Sequence, residues 1–493
     1  MCAPQLATSL GSFVQGVFCY QGVPDSAEFR LASSGEGMVR LAFCPNKVLP
    51  AEHQHVFSFQ VLNGLAPQSA PSVSIRVVGG SSAVMAPVPA VSANETGGLS
   101  GAAAPIRGVP QGSRPLLLIQ PRFEVRRMSQ SNPVVSDTNV LTVSLRSNVD
   151  VLPSDGTLIK ITNLTGASHP NSPIDVDRVA DGNGADLLFC EGLHVSAARW
   201  VPDSGQGARL ELSLCPHAHL RAHTTYAFSI TVMNPPKEQL VPPTIRIVAV
   251  GWFLFAADAM TSPTGDARGF PSGATPLTVV APRFLDAKAG QTNPAAGLPN
   301  TISLTLTPNV DISAAEGSAI TFTGIPTQAQ YPAEQSTLIG LLPGPQGNSD
   351  DGRNRVLGLL SPLPPPSNAV NTGSWDTRDG ILTFFVANGK KLSGHTEYVI
   401  SFEIVNRDTG VGTSDIRVEA SARVPFPRTS MQQSGGFVGG VANGANAFFV
   451  NRPEFVVRSI WQATPEVAAE YAPLSKSRAL RDCLMLSALP PAD

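Results

Sequence analysis

Six cysteines are the residues whose spacing most clearly indicates chemistry in this 493-residue chain. Cys19 and Cys44 are 25 residues apart, and so are Cys190 and Cys215; each pair reads Phe-Cys, then Cys-Pro. A related stretch later in the chain lacks both members of the pair. Joint presence and joint absence predict two disulfides, Cys19–Cys44 and Cys190–Cys215, and disulfides persist in oxidising compartments. The alternative is four buried free thiols.

Two groups of side chains could hold a metal ion. Carboxylate and amide oxygens on a tight turn suit calcium, and the same residue types also favour ordinary hairpin turns. The calcium candidates are Asp175, Asp177, Asp181, Asn183 and Asp186. Cys215 with His217, His219 and His223 has ligand types that suit zinc, but the predicted disulfide already uses the cysteine. We expect no cofactor beyond a possible calcium ion.

The remaining motifs favour secretion and argue against catalysis. Asn94-Glu-Thr and Asn163-Leu-Thr are N-glycosylation sequons. We find neither a nucleophile elbow nor a phosphate-binding loop, so we expect no enzymatic activity. The net charge of −3 argues against a nucleic-acid partner. The longest apolar run, 247–257, is about half of what a bilayer requires, so no transmembrane segment is predicted. The N-terminus lacks the pattern of a secretory signal.

The elements that must position these residues are short strands in repeated units. The stretch at 223–234, HTTYAFSITVMN, recurs at 395–406 and more loosely at 52–63. Its apolar residues alternate with polar ones, which predicts a half-buried strand. Residues 115–160 align with 276–321 without a gap at an offset of 161. Internal repeats at a fixed period indicate a tandem array of similar units.

The repeated stretch carries a recognisable fold signature. Leu220 precedes Tyr226 by six residues, and Leu392 precedes Tyr398 by the same interval. This pattern resembles the tyrosine corner of immunoglobulin-like and fibronectin type III-like sandwiches. The resemblance implies an all-β chain of tandem antiparallel sandwiches of seven or eight strands. It also implies that each tyrosine hydroxyl bonds back to the backbone before its strand.

Composition divides the chain into units and connections. Gly, Ala, Ser and Pro dominate three stretches between the units, which indicates flexible linkers. The predicted order is the second half of repeat 1 (1–79), a linker (80–114), repeat 2 (115–251), a linker (252–275), repeat 3 (276–424), a linker (425–446), and the start of repeat 4 with an irregular tail (447–493). We expect a fragment of a longer array; the alternative is that the two partial units combine into one domain.

Two functions agree with this organisation. The first is a structural or adhesive repeat protein, extracellular or on a cell surface, whose partners include neighbouring repeats of a longer chain. The second is a module that binds a carbohydrate, or a partner in a calcium-dependent manner, beside an enzyme or membrane domain outside this chain. A protein or glycan ligand is possible in both. Fold alone does not separate the two functions.

Overall fold

The computed structural model describes residues 16–25, 27–31, 37–50, 52, 63–64, 66–78, 84–89, 105–180, 183–205, 207–326, 338–342, 356–367 and 369–452. In this part of the chain the regular structure consists of β-strands and three 3₁₀ turns at Pro153–Asp155, Ala185–Leu188 and Ala314–Glu316. The predicted all-β class is therefore confirmed. No helix in the described ranges is long and apolar enough to cross a membrane.

Repeat 1 is described in part, as three small antiparallel groups. Its strands are β1 (Phe18–Tyr20), β2 (Val23–Pro24), β3 (Glu28–Leu31), β4 (Gly37–Arg40), β5 (Ala42–Phe43), β6 (Ser74–Val78) and β7 (Val84–Pro89). The hydrogen-bonded orders are β2-β1-β5, β3-β4 and β6-β7. The loosely matching stretch at 52–63 lies almost wholly outside the described residues.

Repeat 2 is a sandwich of two antiparallel sheets. Its strands are β8 (Phe123–Gln130), β9 (Thr138–Ser147), β10 (Leu158–Leu164), β11 (Ile174–Asp175), β12 (Asp177–Arg178), β13 (Cys190–Glu191), β14 (His194–Val195), β15 (Ala197–Val201), β16 (Ala208–Ser213), β17 (Tyr226–Met233), β18 (Arg246–Val250) and β19 (Phe255–Ala259). A four-stranded sheet has the order β12-β17-β9-β8, and a six-stranded sheet has the order β11-β15-β16-β10-β18-β19. The chain passes from one sheet to the other at Val176, between β11 and β12.

Repeat 3 repeats this topology. Its strands are β20 (Phe284–Gln291), β21 (Pro299–Pro308), β22 (Ile312–Ser313), β23 (Ala319–Thr323), β24 (Leu338–Gly340), β25 (Leu360–Ser361), β26 (Thr372–Asp376), β27 (Ile381–Val386), β28 (Lys391–Leu392), β29 (Tyr398–Val405), β30 (Arg417–Ser421), β31 (Phe426–Ser430) and β32 (Gln432–Gln433). The order β29-β21-β20 matches β17-β9-β8, and β26-β27-β23-β30-β31 matches β15-β16-β10-β18-β19.

Alternating apolar side chains build the core between the two sheets of each sandwich. On β9 the buried positions include Leu141, Val143 and Leu145, and on β21 they include Ile302 and Leu304. Successive side chains of a strand point to opposite faces, so this alternation turns one face of each strand inward. Val134 of repeat 2 belongs to the core cluster of repeat 3, so the core of repeat 3 extends to a side chain from repeat 2.

Both predicted tyrosine corners are present. Tyr226 and Tyr398 open β17 and β29, and both are buried. The Tyr398 hydroxyl accepts from the Ser393 N–H at 2.7 Å. The Tyr226 hydroxyl accepts from the Arg221 N–H at 3.2 Å. Each hydroxyl therefore ties the start of its strand to the loop before it.

All three segments that composition indicated as flexible linkers contain a described strand; in the first of them β7 pairs with β6. Residues 252–275 contain β19, which pairs with β18, and residues 425–446 contain β31, which pairs with β30. Phe255 and Phe426 are buried in the sandwich cores. A flexible linker offers no such core residue, so these segments complete the sheets. Residues 453–493 lie outside the described residues.

Candidate functional site

The connections between repeats share one turn motif, and this makes the inter-repeat junction the candidate functional site. The motif occupies 106–118, 267–279 and 438–450. In each copy two consecutive backbone bonds tighten the chain: Phe270 N–H to Ala267 O (3.0 Å) and Gly273 N–H to Phe270 O (2.9 Å) in the second copy. Equivalent bonds join Val109 to Ile106, Gly112 to Val109, Val441 to Val438 and Gly444 to Val441.

A glycine is required at the centre of each turn motif. A Cβ on Gly273 would lie 2.8 Å from the carbonyl oxygens of Ala267 and Phe270. Gly112 and Gly444 occupy the same place and face equally close backbone atoms. These glycines therefore permit a close backbone approach, and the composition that resembled a flexible linker serves a compact turn.

Beyond the turn, each connector adds a short strand to the repeat that precedes it. Gln239 and Val279 exchange both backbone bonds, at 2.7 and 3.0 Å, and Gln68 and Leu118 do the same at 2.9 and 3.0 Å. Val411 and Val450 form the third pair. Three junctions thus have the same two-bond ladder, including the one between the partly described repeat 1 and repeat 2.

On its other side the connector is bound by a buried amide group, which we call the clamp. In repeat 2 the clamp is Gln130, Asn139 and Asn234, all at most 5% exposed. The Gln130 Nε2 donates to the carbonyls of Gly273 and Thr278, both at 2.8 Å. Its Oε1 accepts from the Leu277 N–H at 2.7 Å. One side chain therefore holds three points of the connector.

The two asparagines of the clamp orient this glutamine. The Asn139 Nδ2 donates to Gln130 Oε1 at 2.9 Å and to Asn234 Oδ1 at 2.8 Å. The Asn234 Nδ2 donates to the carbonyls of Asn132 and Val134, both at 2.8 Å. Because every amide atom named here has a partner, the cluster avoids the cost of burying unsatisfied polar groups.

Repeat 3 has the same clamp in Gln291, Asn300 and Asn406. Asn300 Nδ2 donates to Gln291 Oε1 at 3.0 Å and to Asn406 Oδ1 at 2.9 Å. Gln291 Nε2 donates to the carbonyls of Gly444 and Phe449 at 2.9 and 2.6 Å. The clamp is therefore shared by repeats 2 and 3, and in each of them it binds the connector that follows.

The turn motif also contacts the repeat that follows it. The Asp311 N–H donates to the Arg268 carbonyl at 2.8 Å, and the Asp150 N–H donates to the Arg107 carbonyl at 2.8 Å. Gly269, at φ +70°, packs so closely that a Cβ would lie 2.6 Å from the Gly394 nitrogen. The first two connectors are thus fixed to both of their neighbours by backbone contacts.

Charged side chains reinforce the junction between repeats 2 and 3. Asp137 of repeat 2, with its side chain 3% exposed, forms an ion pair with Arg423 of repeat 3, whose Nε lies 2.9 Å from Oδ1. Arg268 of the connector lies 3.8 Å from the same carboxylate and pairs with Glu316 of repeat 3. In the first junction Arg107 makes a two-bond pair with Asp155, both at 3.0 Å.

Glu238 adds a pH-sensitive contact to the same junction. Its Oε1 accepts from the Ala281 N–H at 2.9 Å and from Arg283 Nη1 at 2.6 Å. The Ala281 N–H, followed by the Arg283 guanidinium, holds the pKa of the Glu238 carboxyl below its ordinary value. Ionised Glu238 is therefore favoured when repeat 3 is in place.

The structure contains both disulfides that the sequence paired. Cys19–Cys44 and Cys190–Cys215 have Cα separations of 4.9 and 5.0 Å, within the range of native disulfides. Repeat 3 has Ser361 and Ala387 at the equivalent places, since Leu360 pairs with Val386 as Phe189 does with Leu214. The disulfide is thus an addition to a frame that also exists without it.

The calcium candidates are distributed over different elements. Asp175 pairs in the six-stranded sheet and Asp177 in the four-stranded sheet, and both are exposed. Asn183 donates to the Thr225 carbonyl at 2.6 Å, which occupies its amide, and Asp186 lies in a 3₁₀ turn. Asp181 lies outside the described residues. Across the described ranges, no three His, Cys, Asp or Glu residues come close enough to share a metal ion.

Only one of the two predicted glycosylation sequons lies in the described part of the chain. Asn94 lies outside the described residues. Asn163 is half-buried at the end of β10, where its amide donates to the Thr244 carbonyl at 2.9 Å. A glycan at Asn163 would leave its Nδ2 with one hydrogen to donate. Glycosylation at both sites stays a prediction.

The sequence analysis missed the clamp, although a signal was present. Gln130-Ser-Asn-Pro and Gln291-Thr-Asn-Pro match at the repeat offset. Asn139 and Asn300 also match at that offset. Polar residues repeated inside strands, where alternation predicts apolar ones, could have indicated a buried polar cluster.

Fold and junction together define a tandem antiparallel β-sandwich protein. No family model matches the chain, and no curated protein matches it. It is similar to the C-terminal domain of the Streptococcus agalactiae AgI/II polypeptide BspA, at 8% identity over 63% of this chain and 99% of that one, with a TM-score of 0.31. It is also similar to the C-terminal domain of the Streptococcus pyogenes antigen I/II-family protein AspA, at 9% identity over 64% of this chain and 99% of that one, with a TM-score of 0.29. At these scores neither likeness bears on function.

Proposed function

We propose that this chain is a spacer of a structural or adhesive protein, extracellular or on a cell surface, in which clamped junctions fix the orientation of successive sandwiches. The observation that carries the proposal is the buried clamp, present in both repeats 2 and 3 and bound to the connector each time. A chain that only had to tether independent domains would not need a buried amide cluster at each junction.

The energetics support a fixed junction. The clamp glutamine, the two-bond ladder and the backbone bond from Asp311 give six connector bonds at the second junction. At about 1 kcal/mol for each net hydrogen bond, these offset the ordering of a few connector residues. Burial of Leu277 and Val280, each 0% exposed, adds apolar stabilisation.

The compartment is proposed from the cysteines. Two disulfides within sandwiches agree with an oxidising location. A thiol count on protein isolated from its native source under denaturing, non-reducing conditions tests this. We expect only Cys2 and Cys483 among the free thiols, whereas six free thiols would place the protein in a reducing compartment.

The spacer proposal is tested by the distance between repeats 2 and 3. Spin labels at exposed Leu193 and Leu363, in a background with Cys2 and Cys483 replaced by serine, report that distance by pulsed electron spin resonance. We expect one narrow distribution, and a broad one in a Gln130→Ala variant, with Asn171→Ala as the surface control. A broad distribution in the parent chain would overturn the proposal.

A further inference from the structure

A pocket of about 220 Å³ lies where the connector meets repeat 2. Its walls include the side chains of Met128, Ile245 and Met260 and the rings of Pro242, Pro243 and Pro276. Ser262 stands at its exposed mouth. Thr244 and Thr275 also line the pocket, and the Thr275 hydroxyl donates to the Pro263 carbonyl at 3.2 Å. The lining thus combines apolar side chains with a few hydroxyls, a composition found in small ligand sites.

In repeat 3 a side chain of the protein itself occupies the position equivalent to this pocket. Met431 donates its backbone N–H to Ile416 O, as Met260 does to Ile245 O, so the two regions correspond residue by residue. Gln432 pairs with Lys288 as Thr261 does with Arg127. By this register Gln433 of repeat 3 takes the position of Ser262.

The carboxamide of Gln433 spans the site in repeat 3. Its Nε2 donates to the Ser414 carbonyl at 2.9 Å, and its Oε1 accepts from the Ala447 N–H at 2.9 Å. Ser414 and Ala447 correspond to Pro243 and Pro276, which line the pocket of repeat 2. A side-chain amide therefore bridges in repeat 3 the two walls that stand apart in repeat 2.

Repeat 2 keeps the acceptor of this arrangement and changes the donor. No described residue donates to the Pro243 carbonyl. Pro276 has no N–H, so the donor that Ala447 supplies in repeat 3 is missing. The Ser262 hydroxyl can donate in its place. The pocket thus offers the Pro243 carbonyl as an acceptor and the Ser262 hydroxyl as a donor.

From this correspondence we propose that the pocket binds a primary carboxamide. The amide N–H donates to the Pro243 carbonyl, its oxygen accepts from the Ser262 hydroxyl, and the attached carbons contact Met128 and Met260. Two sources share this chemistry: the glutamine side chain of a partner protein, and a small free amide. The inference is independent of the spacer proposal, since it needs only the local structure of repeat 2.

The test uses the full chain with methyl-labelled methionines, followed by nuclear magnetic resonance. Propionamide is titrated against propionate, which has the same carbon chain and lacks the N–H donor. We expect saturable shifts of the Met128 and Met260 methyl signals with propionamide only. Equal shifts with both compounds, or no shift with either, would overturn the proposal.

Two variants and two peptides complete the experiment. Ser262→Gln should fill the pocket in place and abolish the shifts, and Ser262→Ala should weaken binding about fivefold by removing one hydrogen bond. If both variants bind propionamide with unchanged affinity, the ligand does not bind in this pocket. Ala-Gln-Ala and Ala-Glu-Ala peptides, acetylated and N-methylamidated, distinguish the two sources of the carboxamide. If the glutamine peptide binds more tightly than propionamide, the ligand is the side chain of a partner protein. If propionamide alone binds, the ligand is a free amide.

Discussion

Repeats 2 and 3 share their sheet order, tyrosine corner and clamp, yet they differ in how the sandwich itself is secured. Repeat 2 has the Cys190–Cys215 disulfide, whereas repeat 3 has Ser361 and Ala387 there. The clamp amides, in contrast, are the same residue types in both repeats and make the same bonds. The comparison shows that the clamp is kept in both repeats, whereas the disulfide is not.

The largest effect is expected from the clamp. Asn139→Ala leaves Asn234 Oδ1 without a donor and the Asn132 N–H without an acceptor, and it removes one of the two donors to Gln130 Oε1. At about 1–3 kcal/mol for a buried group left unpaired, the loss in repeat 2 should be about 4 kcal/mol. Denaturant unfolding measures it.

The same substitution in repeat 3 sharpens the comparison. Asn300→Ala removes equivalent bonds, so it should cost repeat 3 a similar amount. Asn171→Ala, at an exposed position, is the control and should change little. A loss below about 1 kcal/mol in either clamp variant would contradict the role of these amides.

The disulfide comes next. Cys190→Ser with Cys215→Ser should lower the stability of repeat 2 by about 3 kcal/mol, the chain-entropy value for a loop of this length. The reverse experiment places cysteines at Ser361 and Ala387 and should raise the denaturation midpoint of repeat 3 under oxidising conditions. The single Ser361→Cys variant is its control. If the double variant does not form a disulfide, Ser361 and Ala387 are not the structural equivalents of Cys190 and Cys215.

Much of the frame could be predicted because its signals are local. The Leu-to-Tyr interval and the cysteine spacing lie within 25 residues or fewer, and the corners and disulfides formed where expected. The clamp could not be predicted so readily, since Asn139 and Asn234 are 95 residues apart. Gly273 indicated flexibility because the sequence alone does not show the carbonyls that a Cβ would meet.

A smaller loss of stability is expected from removal of the hydroxyl at either tyrosine corner. Tyr398→Phe removes the acceptor of the Ser393 N–H at 2.7 Å and should cost about 1–2 kcal/mol. Tyr226→Phe removes two longer bonds, one accepted from the Arg221 N–H at 3.2 Å and one donated to the His219 carbonyl at 3.4 Å. Because both are long, its cost should be lower. Unfolding of the two variants in parallel measures the difference, and a higher cost for Tyr226→Phe would contradict the reading of these distances.

The smallest effect concerns pH at the second junction. The folded-state pKa of Glu238 is lowered from 4.5, so its contribution is fully present above that value and is lost as pH falls through the folded pKa. The distance distribution between repeats 2 and 3 should therefore broaden slightly in acid. Glu238→Gln should remove this broadening. If the variant still broadens in acid as the parent chain does, titratable groups other than Glu238 cause the response.

Hydrogen exchange of the connector between repeats 2 and 3 tests the central claim most directly. The N–H groups of Leu277, Val279 and Val280 donate to Gln130 Oε1, Gln239 O and Pro133 O at 2.7, 3.0 and 2.7 Å. We expect these amides to exchange as slowly as those of β17, and faster in Gln130→Ala. Exchange of all three at the rate of an unstructured peptide would show a flexible linker and contradict the account.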